Sequence, residues 1–117
     1  METDPKLPVL ALVRDLMFSS KIGATARALG VEVKVIRDPA QLAGQAGKLL
    51  LVDLNQPGAI EAASQWRDSA GGKVVGFVSH VDTDAIQRAR EAKLDQVMAR
   101  SGFVEALPEL LADTKQS

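Results

Sequence analysis

At 117 residues, with 46% hydrophobic and 25% charged side chains, the chain suits one compact domain and excludes disorder over most of its length. Its 14 Lys and Arg against 15 Asp and Glu leave no basic footprint for nucleic acid or an anionic membrane. The absence of cysteine excludes disulfide frameworks, thiolate zinc sites and cysteine nucleophiles together.

The opening residues, Met1 to Lys6, are polar. The apolar run Leu7 to Val13 is broken by Pro8 and closed by Arg14, too short for a signal-peptide core or a bilayer span, so the cytoplasm is the expected compartment. One domain is expected over residues 7–113, with loose termini at 1–6 and 114–117.

The first strand is predicted over Pro8 to Val13, continuously apolar as a strand covered on both faces should be. A helix follows near Ser19 or Ser20, either of which can cap it, with Ile22, Ala26 and Leu29 on one face and Gly30 as its stop. Strand two, Val31 to Ile36, alternates Val with Glu32 and Lys34, the pattern of an edge strand with one wetter side. Asp38-Pro39 reads as a helix start, with Leu42, Ala43 and Ala46 as a modest apolar stripe ending at Gly47. Strand three, Lys48 to Leu54, is the most hydrophobic segment and is expected at the sheet centre.

Pro57-Gly58 turns the chain into a helix over Ala59 to Asp68. Strand four is Val74 to Ser79. Asp82 or Thr83 caps a fourth helix bearing Ala85, Ala89 and Ala92 on one face, and Val97-Met98-Ala99 is a short fifth strand. Phe103 to Leu111 forms the last helix, where Pro108 belongs in the first turn or makes a kink. Five such units, linked by right-handed crossovers, predict a doubly wound (βα)5 α/β sandwich of the flavodoxin-like kind, with a parallel five-stranded sheet in order 2-1-3-4-5. Ligands of such sheets gather at the carboxyl ends of strands one and three, where Asp15 and Asp53 fall.

Three segments then resemble a receiver domain of two-component signalling, CheY-like, over nearly the whole chain. Leu51-Val52-Asp53-Leu54-Asn55-Gln56-Pro57-Gly58 is similar to the family's segment around its phospho-accepting aspartate. Glu91-Ala92-Lys93-Leu94-Asp95 is similar to its Ala-Gly-Ala-Asp, and Met98-Ala99-Arg100 with Phe103 to its Ala-Lys-Pro-Phe. The resemblance implies that Asp53 is the phospho-acceptor, Asp15 one of an acidic pair, Ser79 the hydroxyl at the end of strand four and Asn55 a backbone carbonyl donor. Asp15, Asp53 and Asn55 would then form a magnesium site, since a carboxylate attacks a phosphoryl group while a divalent cation offsets the charge.

Two departures set this chain apart. Arg14 stands where the first acid of the pair is expected, and Arg100 stands where the family has a lysine. Asp15 and Asp53 against Arg14 and Arg100 sum to a formal charge near zero, so magnesium binding is expected to be weak or absent, with no cofactor required. Arginine also suits a fixed ion pair with Asp53. Val97 occupies the place of the family's aromatic switch. The expectation is an atypical or pseudo-receiver, stand-alone and not an enzyme, acting through the face of the fourth helix, fifth strand and last helix. Its expected partner is a sensor kinase, a phosphotransfer protein or a second copy, with the protein a monomer or homodimer. A phosphorylation-competent receiver is the near alternative, and a flavodoxin-like binder or enzyme gripping an anion between Arg14 and Arg100 is the other.

Plainer readings stand beside these. The plainer reading of Asp53 is a solvated or capping aspartate at a strand end, and that of Asp15 a helix-entry or loop acid, while Arg14 and Asp15 alternate on extended chain, so that one of them can point away from the pocket. His80, the only histidine, reads as a loop residue, because no Gly-x-Ser-x-Gly elbow surrounds Ser79. Trp66 and Phe103 read as packing residues. Gly44 to Lys48 is too short for a phosphate loop and precedes its strand.

Overall fold

The apolar runs become five parallel strands in the computed structural model, which describes residues 7–70, 72–79 and 82–116: β1 (Val9–Leu12), β2 (Val33–Ile36), β3 (Leu49–Asp53), β4 (Lys73–Val78) and β5 (Gln96–Ala99). They pair in the order β2-β1-β3-β4-β5, as the sequence predicts, with the fully buried β1 and β3 inside and β2 and β5 at the edges. Four α-helices cover the sheet: α1 (Leu16–Leu29), α2 (Ala59–Ala70), α3 (Thr83–Glu91) and α4 (Arg100–Asp113).

Strand parity divides the core in two. Leu10, Leu12, Leu50 and Val52 point into a cluster with Ala59, Ile60, Ala63 and Trp66 of α2 and Ala85 and Ala89 of α3. Val9, Ala11, Leu49, Leu51 and Phe77 point the other way, against Ile22 and Ala26 of α1 and Phe103, Leu107 and Leu111 of α4. Asp53 shares the parity of Leu49 and Leu51, and so it reaches the α1/α4 side.

Four elements differ from expectation. The second of the five helices of the (βα)5 pattern is missing: between β2 and β3 the chain makes only a 3₁₀ turn, Pro39–Gln41. The start signal works, since Asp38 Oδ1 accepts from the Ala40 amide at 3.0 Å. The continuation, Ala43-Gly44-Gln45-Ala46-Gly47, holds two glycines and too little apolar surface to repay helix nucleation. Trp66 secures this irregular segment, donating from Nε1 to the Gln45 carbonyl at 2.8 Å.

The first helix starts at Leu16, three or four residues before the serines expected to cap it, because Asp15 takes the cap and accepts from the amides of Met17 and Phe18. The last begins at Arg100 and carries Pro108 well inside, where Leu107 and Leu111 remain buried and hold the helix against the sheet despite the missing donor. Past Asp113 the described residues remain ordered into a turn. Thr114–Gln116 form a 3₁₀ turn, and Lys115 Nζ donates to the Leu29 carbonyl at the end of α1 at 2.8 Å. The expected loose start at residues 1–6 lies outside the described residues. No helix among the described residues is long and apolar enough to cross a membrane.

Candidate functional site

The carboxyl end of β3 carries Asp53, 8% exposed and abreast of Phe77 on β4. Gly76, the residue before Phe77, makes room for the Leu54 side chain. A Cβ at position 76 would lie 2.6 Å from that side chain, so only glycine lets Leu54 fold back under the strand end.

Both oxygens of Asp53 are engaged. Oδ1 accepts from the Asn55 amide at 3.0 Å, which bends the chain out of β3, and Oδ2 faces Arg100 Nη2 at 3.3 Å. Arg100 comes from the first position of α4, directly after β5. Its guanidinium carbon lies 5.1 Å from the ring centre of Phe18 and 5.8 Å from that of Phe77, within the range of cation–π attraction. The two rings and Phe103 form one cluster with centroids 4.5 to 5.7 Å apart. Aromatic packing thus fixes the cation, and the cation fixes the carboxylate. Arg100 Nε is buried without a hydrogen-bond partner among the described groups.

The other expected site residues take different duties. Asp15 is exposed, and its Oδ1 is spent on the first turn of α1, at 2.9 Å from the Met17 amide and 3.3 Å from that of Phe18. Arg14 is also exposed and lies past the end of β1. Its contact is through the backbone, where its carbonyl accepts from Arg37 Nη2 at 3.5 Å. Among the described residues the ion pair to Asp53 is made by Arg100.

Asn55 and Ser79 are brought together, though not in the expected manner. The Asn55 side chain crosses to the next loop, accepting at Oδ1 from the Ser79 amide at 2.8 Å and donating from Nδ2 to Asp82 Oδ2 at 2.6 Å. Asp82 Oδ1 in turn caps α3 at the Ala85 amide, 3.0 Å away. His80 lies outside the described residues.

Sequence reasoning missed the partners that give the site its shape. Phe18 and Phe77 carry no signal in isolation, because an aromatic on a buried face reads as core. Gln56 enters the sequence reading only as part of a motif. It is buried, its Nε2 donates to the Arg37 carbonyl at 2.8 Å, and its Oε1 has no partner among the described groups.

A magnesium ion needs several converging oxygen donors. Here the oxygens of Asp53 are held by an amide and an arginine, and Asp15 caps a helix. No group of three His, Cys, Asp or Glu able to hold a metal ion occurs among the described residues. In this arrangement the side chains do not fit a divalent cation.

No family model matches the sequence, and no curated protein does. Solved structures do match in fold. A response regulator from Thermotoga maritima aligns with a TM-score of 0.72 at 16% identity, covering 95% of this chain and 99% of that one. The receiver domain of a sensor histidine kinase from Pseudomonas aeruginosa, which holds a magnesium ion in its active-site cleft, aligns with a TM-score of 0.76 at 18% identity, covering 95% and 98%. A response regulator receiver domain from Rhodospirillum rubrum aligns at 0.72 and 20%, covering 95% of each chain. The fold is thus that of CheY-like receiver domains.

Proposed function

We propose that this chain is a receiver-like domain of two-component signal transduction that works as an atypical or pseudo-receiver, signalling by contact with a partner protein while Asp53 is held in an ion pair. The observation that carries this reading is the Arg100 guanidinium, stacked by Phe18 and Phe77 and set 3.3 Å from the carboxylate that a working receiver would phosphorylate. Support comes also from Asp15, whose carboxylate is committed to capping α1. The partner, a sensor kinase, a phosphotransfer protein or a second copy, would meet the face made by α3, β5 and α4. There a cleft of about 190 Å³ is lined by Val78, Ile86, Arg90, Val97, Met98 and Ala99.

Backbone NMR during addition of magnesium and then beryllium fluoride tests the reading. The expected outcome is no response at millimolar metal and none to the phosphoryl mimic. Shifts centred on Asp15, Asp53, Ser79 and Arg100 would instead make the chain a phosphorylation-competent receiver. The double variant Arg14→Asp with Arg100→Lys restores the acid and the lysine of the family pattern, and it is expected to gain a magnesium response.

A further inference from the structure

We infer that Asn55 relays the state of the Asp53 carboxylate to the amino end of α3. The relay is a chain of hydrogen bonds with no gap. Asp53 Oδ1 holds the Asn55 amide at 3.0 Å and so sets the direction of the Asn55 side chain. That side chain takes the Ser79 amide on one atom and Asp82 Oδ2 on the other, at 2.8 and 2.6 Å. Asp82 closes the ring through its own amide, which donates to the Ser79 carbonyl at 3.0 Å. It then caps α3 through the Ala85 amide at 3.0 Å and accepts the Ile86 amide on its carbonyl at 3.2 Å.

An asparagine is the side chain this junction needs. It must accept from an amide and donate to a carboxylate at once, and of the side chains of this length only a carboxamide does both. Whatever draws Oδ1 away from the Asn55 amide, whether a cation, an adduct or a partner's donor, turns Asn55 and releases the carboxylate that caps α3. Because α3 is nine residues long and borders the face proposed to meet the partner, its first turn is the part such a release would loosen. The relay stands whether or not Asp53 is ever phosphorylated.

Amide hydrogen exchange tests it, with Ala85 and Ile86 as reporters and the Met17 and Phe18 amides, capped independently by Asp15, as the reference. Asn55→Asp keeps the acceptor for Ser79 and sets two carboxylates against each other. It is expected to speed exchange at Ala85 and Ile86 about tenfold relative to the reference. Adding Asp82→Asn restores one donor to the pair and is expected to bring the ratio back toward the wild-type value. Asp53→Ala is expected to reproduce the acceleration although residue 53 touches neither reporter. If it does not fold, Asp53→Leu with Arg100→Leu, which removes both charges together, takes its place. An unchanged ratio in the Asp53 variant, or in Asn55→Asp, overturns the relay. No metal or phosphoryl mimic enters this experiment, so its failure leaves the pseudo-receiver reading standing, and the converse holds.

Discussion

The two sides of the sheet are stabilised by different means. On the α1/α4 side all three phenylalanines of the chain gather, and two of them, Phe18 and Phe77, flank a charge: the Arg100 guanidinium paired with Asp53. On the α2/α3 side the core is aliphatic apart from Trp66, whose indole compensates for the missing helix between β2 and β3. Each side also carries an arginine–carboxylate pair. Arg88 Nη2 to Glu61 Oε2, joining α3 to α2, is the shorter at 2.5 Å, yet its side chains are 46% and 59% exposed. Arg100 to Asp53 is longer at 3.3 Å, with the carboxylate 11% exposed. Burial, more than distance, decides which pair matters, because water screens the first and aromatic rings shield the second.

The contrast between the two sides can be broken at three points. Trp66→Ala should have the largest effect, a loss of about 3–5 kcal/mol in urea unfolding, since it empties a buried volume and releases the Gln45 carbonyl together. Its damage should centre on residues 42–47, read as faster amide exchange there. A uniform loss across both sides would mean that the irregular segment has no separate dependence on Trp66. Arg100→Met should cost about 1–2 kcal/mol by the same measurement, less than a fully buried pair because the arginine is 42% exposed. A cost as small as that of a surface pair would place the two ion pairs in one class. The smallest effect belongs to Glu61, whose pKa is held below the usual carboxylate range by its own backbone amide first and by Arg88 second. A lowered folded-state pKa adds stability that is present above the ordinary value near 4.5 and is lost as pH falls through the folded value. Glu61→Gln should therefore remove at most about a few tenths of a kcal/mol at neutral pH, with the gap to wild type closing in acid.

Much of the fold is legible in the sequence because its signals are local. The apolar runs, the Gly30 stop, the Asp82 cap and the edge character of β2 all follow from periodicity and capping chemistry, and Gly30 indeed closes α1 at a φ of 72°. The absent helix is not legible, because Asp38-Pro39 is a sound start signal and only the sum over the following glycines shows that propagation fails. The site is legible in position and less so in wiring. Asp53 falls at a strand end by pattern alone. Whether Asp15 serves a cap or a cation depends on where α1 begins, a matter of one turn that the serines obscure. Arg14 counts toward the site charge in the sequence, whereas its described contact is made by its backbone carbonyl, with Arg37. Lys93 adopts a φ of 58° at the position where the Ala-Gly-Ala-Asp segment it resembles has glycine, and its carbonyl accepts from Arg67 Nη1 at 2.7 Å.

The chain has one tryptophan and no tyrosine, so its near-ultraviolet emission comes from Trp66 alone. That indole is buried on the side of the sheet away from Asp53 and hydrogen-bonded to the irregular segment. An event confined to Asp53 and Arg100 is therefore optically silent. A change in emission on adding a partner would report that the disturbance had crossed the sheet, and the ring-current shifts of the three phenylalanines would be the signal to follow when it had not.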